Sequence, residues 1–111
     1  MRTPSTSASP LRSQFVDDTD MREIVEMFVS GMPEKIAALG QLWEQQRLDD
    51  LKRLAHQLKG AGGGYGFPTV GEAAGRVESS IDAMAYGSGA KVEQLRAQFE
   101  DLITLCRSVS M

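Results

Sequence analysis

Apolar residues recur every three or four positions along nearly the whole chain, and no stretch alternates as a half-buried strand does. That period admits helices and little else. A first stripe runs through Ile24, Phe28, Met32, Ile36, Leu39 and Trp43, with Asp20 and Glu23 spaced as a capping box at its start. The stripe keeps its phase across Pro33, which predicts one long helix kinked there. After the short connection "QQRLDD", with Asp49 as N-cap, a second stripe holds Leu51, Leu54, Ala55, Leu58, Ala61 and Tyr65. This helix is expected to stop at Gly66, a C-terminal cap, because Phe67-Pro68 disfavours continuation and Pro68 suits the first turn of the next helix. Val70, Ala73, Ala74, Val77, Ile81 and Met84 mark the third helix, closed by "YGSG". Val92, Leu95, Phe99, Leu102, Ile103 and Cys106 mark the fourth.

Four helices that each bury one stripe, joined by short connections, predict an all-α antiparallel four-helix bundle. With 111 residues the chain has room for one modest core, placed here over residues 19–111. The opening "MRTPSTSASPLRSQ" has no apolar middle segment of the signal-peptide kind, and residues 1–18 read as a flexible lead-in. No apolar run reaches the roughly 18 residues that cross a bilayer. A net charge of −3 argues against a general nucleic-acid binder. Cys106 is the one cysteine, which rules out an internal disulfide and suits a reducing compartment, so a cytoplasmic domain is expected. One histidine and one cysteine make no dedicated metal site, and no second nucleophile or base accompanies the histidine as an enzyme would require.

The chemistry concentrates in "LAHQLKGAGGGYGFP", which holds that histidine, His56, and five glycines. At about 100° per residue, the second stripe lies within about 60° of one direction, while His56 falls near 140°, Gly60 near 180° and Gly63 near 120° from Leu51. His56 is therefore expected on the exposed face, with Lys59 one turn on and Lys52 and Arg53 flanking it. An isolated surface histidine is ordinarily a solvated residue with no role. The glycines argue otherwise, since each one inside a helix costs about 1 kcal/mol relative to alanine. Gly62 points to the core side, where it lets the third helix approach through Gly71 and Gly75. Gly60 and Gly63 point outward, and bare backbone beside an exposed imidazole is what a partner's active site needs in order to reach the ring. A nucleotide loop does not fit: Lys59 precedes the glycines, the dinucleotide spacing fails at Tyr65 and Phe67, and no strand leads in.

The segment "HQLKGAGGGYGF" resembles the signature of histidine-containing phosphotransfer (HPt) domains, His-x-x-Lys-Gly with a later glycine, met by His56, Lys59, Gly60 and Gly66. The resemblance extends over about residues 20–107, through the Phe28 and Pro33 region to Val77-Glu78. It implies a four-helix phosphocarrier, itself no catalyst, that takes a phosphoryl group on Nε2 of His56 and passes it on. The partners implied are a sensor histidine kinase and the receiver domains of response regulators. No cofactor is implied for the carrier, and magnesium is expected in the receiver's acidic pocket. Free imidazole, with a pKa of about 6.5, is mostly neutral and nucleophilic at pH 7. By the same resemblance Lys59 stabilises the phosphate, and Glu78 bonds the other ring nitrogen to orient the imidazole. Arg47, Lys52, Arg53 and Lys59 outnumber Asp49 and Asp50, a local surplus suited to an acidic receiver pocket. Lys52, Arg53, Gly60 and Gly63 are the expected docking residues. Two other readings remain open: a non-phosphorylated helical interaction module (a pseudo-HPt adaptor), and one domain of a larger hybrid kinase.

Overall fold

The computed structural model describes residues 11–15, 17–85 and 92–110. Five helices dominate it: α1 (Thr19–Ser30), α2 (Met32–Glu44), α3 (Leu48–Gly64), α4 (Pro68–Ala85) and α5 (Val92–Ser108). Two two-residue strands, β1 (Leu11–Arg12) and β2 (Val109–Ser110), pair in parallel. So short a pair leaves no alternation to find in the sequence.

The expected single helix from Asp20 to Trp43 is two helices. They divide at Gly31, whose N–H donates to the Met27 carbonyl while its own carbonyl accepts from Lys35. Pro33 sits in the first turn of α2, where its missing N–H breaks no helical bond. Because backbone bonding continues across the junction in right-handed geometry, Phe28, Met32 and Leu39 all reach the core. Ile24 does not: it is 42% exposed, and Val25 is buried in its place. Val25 lies closer to the direction of Phe28 and Met32, and Ile24 lies about 60° to one side of Met21. The cap of α1 is Asp18, whose carboxylate accepts from the Asp20 N–H at 2.9 Å. Asp20 and Glu23 thus form no capping box; Asp20 lies in the first turn, at the positive end of the helix dipole. Asp49 is likewise inside the first turn of α3, whose N-cap is Arg47.

The α3–α4 turn follows from one glycine. Gly66 adopts φ +85°, the Phe67 N–H donates to the Gly62 carbonyl at 2.7 Å and the Gly66 N–H to the Gly63 carbonyl at 3.4 Å. These two bonds make a Schellman turn that satisfies the last carbonyls of α3. The α2–α3 turn repeats the pattern with Gln46 at φ 56°, an exposed residue in a region that side chains disfavour. Residues 11–15, expected within a flexible lead-in, are instead packed on the helices. The Gln14 N–H donates to the Gly66 carbonyl, and the buried Ser13 hydroxyl donates to the Tyr65 carbonyl at 2.6 Å. Residues 1–10, the remainder of that lead-in with Val16, lie outside the described residues, as does the "YGSG" stop.

The core is one cluster contributed by all five helices, with Leu39, Leu51, Ala55, Val70, Ala74, Val77 and Leu102 fully buried. Helix α4 packs on both α3 and α5, and α2 packs on α3 and α5 from the other side. Trp43 stacks on Phe99 at 4.6 Å to join α2 to α5. Val92, expected in the last stripe, is exposed as the first residue of α5. Cys106 is buried in the core, where desolvation pushes its thiol up to about 12, so it packs and does not react. Among the described residues, no helix is long and apolar enough to cross a membrane.

Candidate functional site

Burying Leu51, Ala55, Leu58 and Gly62 turns the opposite side of α3 outward. His56 stands on that side, its side chain 68% exposed. What makes the position specific is α4. A Cβ built on Gly62 would lie 2.7 Å from the Gly71 nitrogen, and one on Gly71 would lie 3.0 Å from the Lys59 carbonyl. The two helices therefore meet backbone to backbone, closer than side chains permit. They run in opposite directions: Lys52 pairs with Asp82, His56 with Glu78, and the Lys59 stem lies against Gly75. Each step forward along α3 is matched by a step back along α4.

At the middle of this ladder His56 Nδ1 lies 2.8 Å from Glu78 Oε2. A carboxylate only accepts, so Nδ1 carries the proton and donates it to Glu78. In the neutral ring that leaves the Nε2 lone pair unprotonated. Glu78 is only 17% exposed, held low between the helices, while its other oxygen faces Lys59 Nζ at 3.7 Å. One carboxylate thus anchors the imidazole with one oxygen and the ammonium with the other. The Nε2 edge of an exposed ring is open to solvent, with a cation on the same helix face one turn away. Such an arrangement can present a nucleophilic nitrogen and screen an anion bound to it.

The model for the Hpt domain matches residues 23–108. The chain belongs to the Hpt domain family. Hpt domains act in histidine phosphotransfer within two-component phosphorelays. Comparisons with curated proteins and with solved structures return no match for this Hpt chain.

The structure brings together His56, Lys59 and Glu78 and sets the expected docking residues around them. Gly60 and Gly63 are exposed, and a Cβ on either, or on Gly64, would meet nothing within 4 Å. Arg53 lies 3.3 Å from Asp50, which also pairs with Arg47, and Lys52 pairs with Asp82. The basic surplus read along residues 47–59 is therefore offset by Glu78 and Asp82 across the helix interface. Gly66 stands apart as a turn residue. Sequence reasoning missed Asp82 and read Gly75 as a point of close helix approach, where it instead lies against the Lys59 side chain; both fall on α4 at spacings that answer Lys52 and Lys59 once His56 is set against Glu78. It also missed Met27, which is 71% exposed on α1. Met27 and Ile24 border a groove shared with Leu54, Gln57 and Ala61 of α3.

Proposed function

We propose that this Hpt chain is a phosphocarrier whose acceptor is His56, receiving a phosphoryl group from a sensor kinase or a phosphorylated receiver and delivering it to a receiver aspartate. The observation that carries the reading is the 2.8 Å bond from His56 Nδ1 to Glu78 on an exposed helix face. In the step from a receiver, the Nε2 lone pair attacks phosphorus of the aspartyl phosphate. The N–P bond forms as the P–O bond to the carboxyl breaks, and the donor leaves as a free carboxylate. Nδ1 keeps its proton, so positive charge grows on the ring as the bond forms, and the Glu78 carboxylate lies against it. Lys59 offsets the charge arriving on the phosphoryl oxygens. Delivery to the next aspartate is the same step reversed.

The fold behind this reading is an antiparallel four-helix bundle of α2 to α5, with α1 as a side helix. Docking falls on the bare backbone at Gly60 and Gly63, flanked by Lys52 and Arg53, with Ile24 and Met27 supplying an apolar border. Transfer of this kind belongs in the cytoplasm, where magnesium sits in the receiver's acidic pocket. Incubation with a panel of phosphorylated receivers and kinases tests the proposal. The wild-type chain takes an acid-labile, alkali-stable label, and His56→Gln folds with an unchanged melting temperature and takes none. Labelling that persists in His56→Gln, or an acid-stable bond, overturns it. Receiver binding without any label would identify the non-phosphorylated adaptor instead.

A further inference from the structure

Opposing positions on α3 and α4 place Lys52 against Asp82 and His56 against Glu78, a cationic or titratable group facing a carboxylate each time. At the third position Lys59 faces Gly75. A Cβ on Gly75 would lie 3.5 Å from Lys59 Cδ and 3.9 Å from both Cγ and Cε, ordinary contact, so the lysine stem lies against the position and a longer side chain would compete with it. Gly75 sits in the interior of an 18-residue helix, where glycine costs about 1 kcal/mol relative to alanine. Unlike Gly62 and Gly71, it lies against a side chain and not against backbone. Its φ lies outside the left-handed region and a Cβ there would make only ordinary contact with the stem, so what the position supplies is the absence of a long side chain.

We propose that Gly75 is a positioning residue for phosphoryl transfer: by presenting no side chain long enough to displace it, it lets the Lys59 stem lie along α4 and keeps the ammonium beside Glu78, on the His56 side of the interface. The transfer role rests on the reading of His56 as the acceptor. A carboxylate at this position would hold Lys59 as Asp82 holds Lys52. A bulky apolar group would lift the stem off α4. An empty position does neither, and the ammonium stays shared between Glu78 and whatever anion His56 carries.

Two measurements on the full chain test this separately from the acceptor assignment. In the unphosphorylated protein, nuclear Overhauser contacts are expected between the Gly75 α-protons and the Lys59 side-chain methylenes; their absence overturns the placement of Lys59 whatever happens to phosphate. The second measurement follows labelling of His56 by the small donor phosphoramidate in a variant series. Gly75→Ala, whose Cβ makes ordinary contact with the stem, should label at the wild-type rate. Gly75→Leu should slow labelling about tenfold, the scale expected when a transition state is deprived of one charge-assisted hydrogen bond. Gly75→Glu, a good helix former that captures the ammonium, should do the same and covers the case of a Leu variant that folds poorly. In a Lys59→Ala background neither change should slow labelling further, because the lysine is the only route by which Gly75 acts. Slowing that persists in that background, or wild-type rates in both Gly75→Leu and Gly75→Glu, overturns the positioning role. If the Overhauser contacts are present but wild-type His56 takes no label from phosphoramidate or from phosphorylated receivers, the acceptor assignment fails and the transfer role of Gly75 fails with it, while the packing of Lys59 stands.

Discussion

Gly60 and Gly62 lie two residues apart on α3 and face opposite surroundings. A Cβ on Gly62 would collide with the Gly71 backbone and crowd the Phe67 carbonyl, whereas one on Gly60 would meet nothing within 4 Å. Both weaken the helix by a similar amount, since propensity depends on the residue and not on the face it occupies. The difference is in what is gained. At Gly62 the gain is internal: α4 comes close enough to set Glu78 under His56. At Gly60 a side chain would meet nothing among the described residues, which supports the proposal that the position serves whatever approaches the imidazole.

The largest effect should come from filling the inner face. Gly62→Ala forces a methyl group against backbone, which cannot swing aside as a flexible side chain would, and overpacking of this kind costs about 1–3 kcal/mol. Urea denaturation should show that loss, and the distance from His56 to Glu78 should grow as α4 is pushed away. A Gly62→Ala variant as stable as wild type would mean that the helices do not meet at this point, and the contrast between the two faces would collapse.

Filling the outer face should lower transfer without costing stability. Gly60→Gln adds a long side chain at i+4 from His56, across the approach to the ring, without touching the core. Transfer from a phosphorylated receiver is expected to fall about tenfold or more, while the melting temperature holds or rises. A loss of stability would place Gly60 in a packing contact. Unchanged transfer without loss of stability would mean that the partner reaches His56 from another side.

Much of this contrast was legible in the sequence, because helix phase alone separates Gly60 and Gly63 from Gly62, and one histidine in one motif leaves few choices of acceptor. The apolar stripes of α3 and α4 were read correctly because each runs through one uninterrupted helix, so no break resets its phase. What was not legible depends on contacts between distant segments. Whether Asp18 or Asp20 caps α1 depends on where the chain enters the helix, and Ile24 was placed in the core on its spacing to Phe28 although Val25 lies closer to the mean direction of Phe28 and Met32. The ordering of residues 11–15 depends on Ser13 finding the Tyr65 carbonyl, a bond spanning 52 positions that no local pattern announces. The roles of Asp82 and Gly75 needed the register of α3 against α4. The expected pair of His56 with Glu78 was enough to supply it, since the remaining partners follow by counting along two opposed helices.

The smallest expected effect is also the cleanest discriminator between the two faces. Gly60→Ala adds one methyl group in open space on a regular stretch of helix and removes backbone freedom from the unfolded chain. It should therefore stabilise the isolated domain by up to about 1 kcal/mol. A single methyl group projects too little to block an approaching receiver, so transfer should change less than in Gly60→Gln. The same substitution at Gly62, with the same gain in propensity, should destabilise. Opposite signs for one chemical change at two positions two residues apart cannot come from propensity and have to come from surroundings. Measured side by side in urea, equal signs would show that the outer face carries hidden contacts or that the inner face has room to spare, and either result would remove the reason for assigning Gly60 to the partner.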